Sequence, residues 1–309
     1  MTLPPELWAA LDALPSAAEA ASAWQRLQAA YRAQGRAEID EAASALAYAW
    51  ARMPATVAAI AEALRRAGPP PWRSLLDLGA GCGAGWWAAR WRCPQLELCT
   101  AVERSPALRA LGARLAPEAR WLEADLRQPP SALPVHDGVL FAYSLGELPS
   151  AARAAALAWA WERAGDGLLL VEPGTPAGAA VVQAARCQLL ALGARLVAPC
   201  PHEGPCPLPT AGWGWCHFAV RLPRHRRQRH LKGGALLGWE EERFAWLLAR
   251  RQGAPLAAGR VLAPPARRGG GISVLVCDGQ GAQQRTVYPR DPAWPAARRC
   301  RWGDPWPAR

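Results

Sequence analysis

The run LLDLGAGCGAG, from Leu75 to Gly85, constrains this chain more than any other stretch. A short apolar strand ends in it, glycines follow at alternate positions, and a helical pattern begins. Glycine is required where a chain turns sharply and lets a ligand approach its backbone. The helix that follows offers unpaired N–H groups at its start. A nucleotide-like ligand is the natural occupant. Gly79, Gly81 and Ala84 satisfy the dinucleotide G-x-G-x-x-G/A spacing, and Glu103 stands where a ribose-binding acid belongs. Asp77, two residues before the first glycine, and Asp125, at the end of a later strand, lean away from a nicotinamide or flavin site.

The rest of the chain fits the same architecture. Strand-like runs (RSLLDLGAG, LELCTAVERS, EARWLEADL, HDGVLFAYSLGEL, DGLLLVEPGTP) alternate with helical stretches at Gly85–Arg92, Pro106–Leu115, Ala151–Arg163 and Ala177–Leu192. This alternation predicts an α/β fold with a parallel sheet and helices on both faces. Residues 1–67 read as a helical region, with Leu46, Trp50, Met53 and Val57 on one apolar face, and a Gly-Pro-rich linker follows. Residues 68–198 form the sheet domain, 199–232 a Cys-rich and basic insertion, and 233–309 the strands completing the sheet, plus a tail. The three tryptophans of that tail argue that part of it docks.

The Asp-x-Gly-x-Gly-x-Gly pattern with Glu103 and Asp125 resembles class I S-adenosylmethionine-dependent methyltransferases, a Rossmann-like fold. That resemblance implies that Asp77 holds the methionine end, directly or through water. The loop Gly79, Gly81 and Gly83 passes under the ligand, Glu103 takes the ribose hydroxyls and Asp125 lies beside the adenine. No Asn/Asp-Pro-Pro-aromatic tetrad follows the fourth strand, where FAYSLGELP stands instead. Ser144 and Glu147 are the polar residues there, at the spacing of a helix capping box, and no catalytic residue is assigned.

The net charge is +11, and Lys232 is the only lysine. Such a balance favours a polyanionic partner, nucleic acid first. The segment RLPRHRRQRHLK concentrates it: Arg221, Arg224, Arg226, Arg227, Arg229 and Lys232, with no acid among them. Arginine neutralises phosphates and stacks on unpaired bases, which suits folded RNA. The first residues show no basic region followed by an apolar one, and no long uncharged apolar run occurs, so neither a signal peptide nor a membrane span is expected. The expected setting is a reducing bacterial cytoplasm, where clustered cysteines bind metal more often than they form disulfides.

Nine cysteines are present. Cys82, Cys93, Cys99 and Cys187 fall within the sheet domain and read as small buried residues. Cys200, Cys206 and Cys216 cluster at C-x5-C-x9-C, which is not a zinc-ribbon spacing. Pro201 and Pro207 each follow a cysteine, as around iron–sulfur clusters. A fourth ligand is required, with His202, His217, Cys277 and Cys300 as candidates.

Five motifs in order, LLLVEPGTPAG, APCPHEGPCPL, WCHFAVRLPR, the lone Lys232 and EERFAWLLAR, resemble the methyltransferase-like family associated with assembly of the mitochondrial small ribosomal subunit (the Rsm-twenty-two type) and its bacterial relatives. The resemblance implies a [4Fe–4S] cluster on Cys200, Cys206, Cys216 and Cys277, with zinc as the alternative metal. It implies S-adenosylmethionine binding and docking of a monomer on small-subunit rRNA, with rRNA methyl transfer as a candidate activity. The alternatives are a non-catalytic RNA-binding assembly protein with a vestigial cofactor pocket and, disfavoured by Asp77 and Asp125, a nicotinamide-dependent oxidoreductase.

Overall fold

The computed structural model describes residues 1–15, 19–34, 38–130, 132–233, 237–253 and 255–307. Four helices open the chain: α1 (Pro5–Asp12), α2 (Ala20–Gln34), α3 (Ala42–Ala51) and α4 (Met53–Ala67). Every residue of α4 from Met53 to Leu64 is buried. A helix built so largely of small and apolar residues has to be covered on all sides. It lies under α3 and against the sheet domain.

That domain follows as β1 (Ser74–Leu78), α5 (Ala84–Arg92), β2 (Leu98–Val102), α6 (Pro106–Leu115), β3 (Arg120–Leu122), β4 (His136–Ala142), α7 (Ser150–Glu162), β5 (Ala164–Pro173), α8 (Pro176–Ala191) and β6 (Arg195–Ala198). Next come the short helix α9 (Leu208–Ala211), β7 (Phe218–Pro223), α10 (Arg226–Leu231) and β8 (Trp239–Arg250). The strand order is β3-β2-β1-β4-β5-β8-β6. Strands β1 to β5 are parallel, and β8 runs antiparallel to both β5 and β6. A single reversed strand inserted beside the fifth is the class I methyltransferase-like arrangement.

One face of the sheet packs on α4 and α5 through residues such as Leu75, Ala101 and Leu169, and α1, α2, α3 and α6 extend the same apolar cluster outward. The other packs on α7 and α8 through Leu76, Val139 and Leu170. Neighbouring strand residues thus alternate between two apolar layers, and the strands read as continuous apolar runs.

Strand β8 is twelve residues long. Its C-terminal half pairs with β6 and its N-terminal half with β7. The Cys-rich segment between β6 and β7 is therefore anchored at both ends to one strand.

The C-terminal part departs from the expectation that its strands complete the main sheet. Only β8 takes a place there. Strands β9 (Gly259–Val261), β10 (Ala266–Arg268), β11 (Gly271–Asp278), β12 (Gly281–Val287) and β13 (Pro305–Trp306), with helix α11 (Trp294–Arg299), form a second, five-stranded sheet. Ile272, Val274 and Val276 alternate along β11 and find their apolar layer in Val261, Val287 and Trp306. The tail docks by the same means, Trp306 being buried as β13 pairs with β9. Among the described residues no helix is long and apolar enough to cross a membrane.

Candidate functional site

The sheet changes its winding direction between β1 and β4, and a cleft opens there above the strand ends, as in other doubly wound sheets. Gly79, Gly81, Glu103 and Asp125 line it, and Tyr31 and Tyr48 reach it from α2 and α3. Gly79 has φ +74°, and a Cβ there would lie 2.4 Å from that of Ser144, so only glycine lets the loop pass. Gly81 and Gly83 are also left-handed. Gly83 caps α5 and is not among the cleft-lining residues.

Asp77 does not reach the cleft surface. It is 1% exposed, and its Oδ2 has no hydrogen-bond partner among the described residues. A Cβ on Gly85, in the first turn of α5, would sit 2.2 Å from that oxygen. Burial, and secondarily the charge of Glu103, pushes its pKa up to about 7. The raised value has a stability consequence. Below the ordinary carboxylate range the folded and unfolded chains both hold the proton. As pH rises from there through 7 the unfolded chain ionises first, and stability is lost. Asp77→Asn is therefore expected to stabilise the ligand-free protein by about 2–4 kcal/mol at pH 8, with the gain vanishing near pH 4. Urea unfolding at the two pH values measures this, and a gain equal at both would contradict it.

Glu103 follows β2 and ties two turns together. Its Oε2 accepts the Gly81 N–H at 2.9 Å and its Oε1 the Ser105 N–H at 2.8 Å. Burial raises its pKa despite these bonds. Asp125 is held by Arg127, whose Nε lies 2.8 Å from Oδ2, and this bond lowers the Asp125 pKa.

The end of β4 supplies what the sequence concealed. Ser144 caps no helix: its Oγ donates to the Leu78 carbonyl at 2.6 Å and bolts β4 to β1. Tyr143 has φ +59°, a conformation that costs a bulky residue ~1–3 kcal/mol. Its hydroxyl donates to Glu242 at 2.9 Å, and Arg52 grips the same carboxylate with two bonds of 3.1 Å. Glu172, buried and raised to about 7 chiefly by burial, accepts the Gly146 N–H at 2.8 Å. No periodicity in the sequence marks Tyr143, Arg52 or Glu242. Their only sign is that an aromatic residue follows β4.

A second cavity, of about 590 Å³, has Cys200, Cys206, Cys216 and Cys277 on its wall, with Arg186 and Arg260. These residues come from the knot after β6, from β11, from α8 and from β9. All four thiols are free. Burial raises the Cys200 and Cys216 pKa values and takes Cys277 up to about 12. His202 Nε2 lies 3.7 Å from the Cys277 sulfur. His217 instead stacks on Trp215 and meets Trp302 edge-on. Among the described residues, no three His, Cys, Asp or Glu side chains come together closely enough to hold a single metal ion. The two arginines are 3% and 4% exposed, and among the described residues neither pairs with a carboxylate. Arg186 bonds the carbonyls of His202 and Gly204, and its Nε has no partner among the described residues. Arg260 bonds the carbonyls of Pro199 and Gly303.

The basic segment is not a continuous exposed arm. Arg227 donates to the carbonyls of Leu14 and Asp12 and covers the Trp50 ring. Lys232 pairs with Glu240 at 2.6 Å, and Arg224 lies 3.6 Å from the same carboxylate. These three cations bind the segment internally, because α10 packs its Gln228 side into the N-terminal helices. Arg221, Arg226 and Arg229 remain exposed. Arg221 pairs with Glu241 at 2.9 Å and stands 4.3 Å over the Trp239 ring.

A human protein, the mitochondrial ribosome assembly protein METTL17, is 30% identical over 293 residues, covering 84% of this chain. This chain spans 61% of that protein's length. Among solved structures, the magnesium protoporphyrin IX methyltransferase of Synechocystis is 16% identical, with a TM-score of 0.41 over 75% of this chain and 94% of that one. A TehB-like methyltransferase of Corynebacterium glutamicum is 18% identical, with a TM-score of 0.39 over 60% and 89%. The profile of the family described as mitochondrial small ribosomal subunit Rsm22 matches residues 42–307, from α3 to the last strand, and this chain belongs to that family.

Proposed function

We propose that this protein is an assembly factor of the small ribosomal subunit that binds S-adenosylmethionine, a [4Fe–4S] cluster and rRNA. The observation that carries the reading is the match to a human ribosome assembly protein across 84% of the chain.

In the cofactor cleft, Glu103 keeps lone pairs for ribose hydroxyls while its backbone bonds hold the glycine loop in shape. Asp125 borders the adenine end. Asp77 acts from beneath, as a buried charge favouring a cationic methionine group. S-adenosylmethionine, when bound, supplies an electrophilic methyl group. The side chains at the β4 end favour binding over transfer, since Tyr143, Ser144 and Glu172 are all engaged with internal partners. Calorimetric titration should give S-adenosylmethionine binding and no NAD(H) binding. Glu103→Ala should weaken it by ~1–3 kcal/mol through lost hydrogen bonds. Preference for NAD(H) would overturn the assignment.

Four thiols and two arginines in one cavity fit an anionic cluster. Buried cations without carboxylates require compensating negative charge, and four thiolates bearing a cluster provide it. A lone zinc ion with Zn–S of about 2.3 Å draws its sulfurs to about 3.8 Å of one another. A cluster gives each thiolate its own iron, and four cysteines on one cavity wall can serve it without converging on a single ion. RNA contact then falls to Arg221, Arg226 and Arg229, on the ribbon and helix that leave the cysteine segment.

A further inference from the structure

A third concavity lies away from both the cleft and the cysteine cavity. It is an open groove of about 720 Å³, and Arg65, Arg92, Arg221, Arg299 and Arg301 line it. They come from the ends of α4 and α5, from β7, from α11 and from the turn before β13, so the sequence gives no hint of their meeting. Two carboxylates share the groove. Glu62 is already satisfied by Arg65 at 2.8 Å and Arg66 at 2.7 Å. Asp304 accepts the backbone N–H of Arg301 at 2.9 Å. Among the described residues Arg92, Arg299 and Arg301 pair with no carboxylate. Arg92 stacks on Trp91 at 3.9 Å, and its Nε has no partner among the described residues.

We infer that this groove is a second RNA-backbone site, holding consecutive phosphates of the strand or hairpin that the β7–α10 segment engages; the inference rests on the RNA-binding reading above. Five guanidiniums outnumber the two carboxylates of the groove, and Arg92, Arg299 and Arg301 are the three left without an acidic partner among the described residues, which makes a concave positive surface that concentrates field toward a polyanion. Guanidinium forks match phosphate geometry. Arg221 belongs to both surfaces, so one bound RNA can run from the outer face of β7 into the groove.

The test is fluorescence anisotropy of the full chain with a labelled RNA hairpin carrying a single-stranded tail, across a salt series. The double variant Arg299→Glu/Arg301→Glu changes exposed residues and should melt like the wild type. It should bind at least ~10-fold more weakly and lower the slope of log K against log salt by about 2. Arg299→Lys/Arg301→Lys keeps the charge without the fork, and should restore the slope fully and the affinity in part. Unchanged affinity and slope in the Glu variant, with loss in Arg221→Glu/Arg226→Glu/Arg229→Glu, would overturn the groove alone. A wild type that binds no RNA would overturn the groove and the RNA reading together. Displacement of the RNA by poly-glutamate but not by poly(U), at matched charge, would assign the groove to an acidic protein and overturn its assignment to RNA.

Discussion

Replacing Cys277 with Ser should bring the iron content of anaerobically prepared protein to near background, as far as replacing Cys206 does. Cys277 sits on β11 opposite Arg260 of β9, whereas the other three cysteines belong to the segment held by β6, β7 and β8. A cluster on all four would tie the second sheet to the first, and its binding energy would become folding energy for both. The variant should then expose residues 199–232 to protease and lower the melting temperature. Cys300→Ser should do neither. Cys187→Ser is the stricter control, because Cys187 borders the same cavity yet is exposed on α8. The intact protein should show broad absorbance in the visible blue, bleached by dithionite, with sulfide accompanying iron. A colourless protein with one zinc per chain would keep the ligands and replace the cluster. Full metal occupancy in the Cys277 variant would contradict the ligand set and transfer the role to His202, 3.7 Å away.

Reversing Arg221, Arg226 and Arg229 to Glu should cut affinity for small-subunit particles by about a hundredfold at moderate salt, since three phosphate contacts become repulsions. The melting temperature should fall only slightly, because all three side chains are exposed and the one ion pair lost, Arg221 with Glu241, lies at the surface. Arg227→Glu should behave oppositely. It removes bonds to two carbonyls and a ring contact, and so should destabilise the docking of α10 on the N-terminal helices. Co-sedimentation and thermal melts of both variants separate the two roles. A triple variant that still co-sediments would make the segment a structural clasp only.

The sheet and its glycine loop were legible because their signals are local. A strand, left-handed glycines and a helix start occupy adjacent positions, and strand-helix alternation repeats from Ser74 to Ala198. The six-cation segment was legible as charge but not as contacts, since the partners of Arg227, Leu14 and Asp12, lie over 200 positions away in sequence. The second sheet was hidden for a similar reason. Alternation along Gly271–Asp278 says that one face is buried and does not say against which layer. Tyr143 was illegible on different grounds, since only tertiary bonds, here to Glu242, hold a bulky residue at positive φ. Asp77 was found by its spacing from Gly79, yet its burial beneath α5 was not, because burial follows from the packing of Gly85.

Crosslinking in living cells, with sequencing of the RNA attached to the tagged chain, tests the central claim most directly. The account predicts crosslinks concentrated on small-subunit rRNA, carried by assembling particles and lost in the Arg221→Glu/Arg226→Glu/Arg229→Glu variant. Crosslinks spread evenly over large-subunit and messenger RNA, or none above an untagged control, would contradict it.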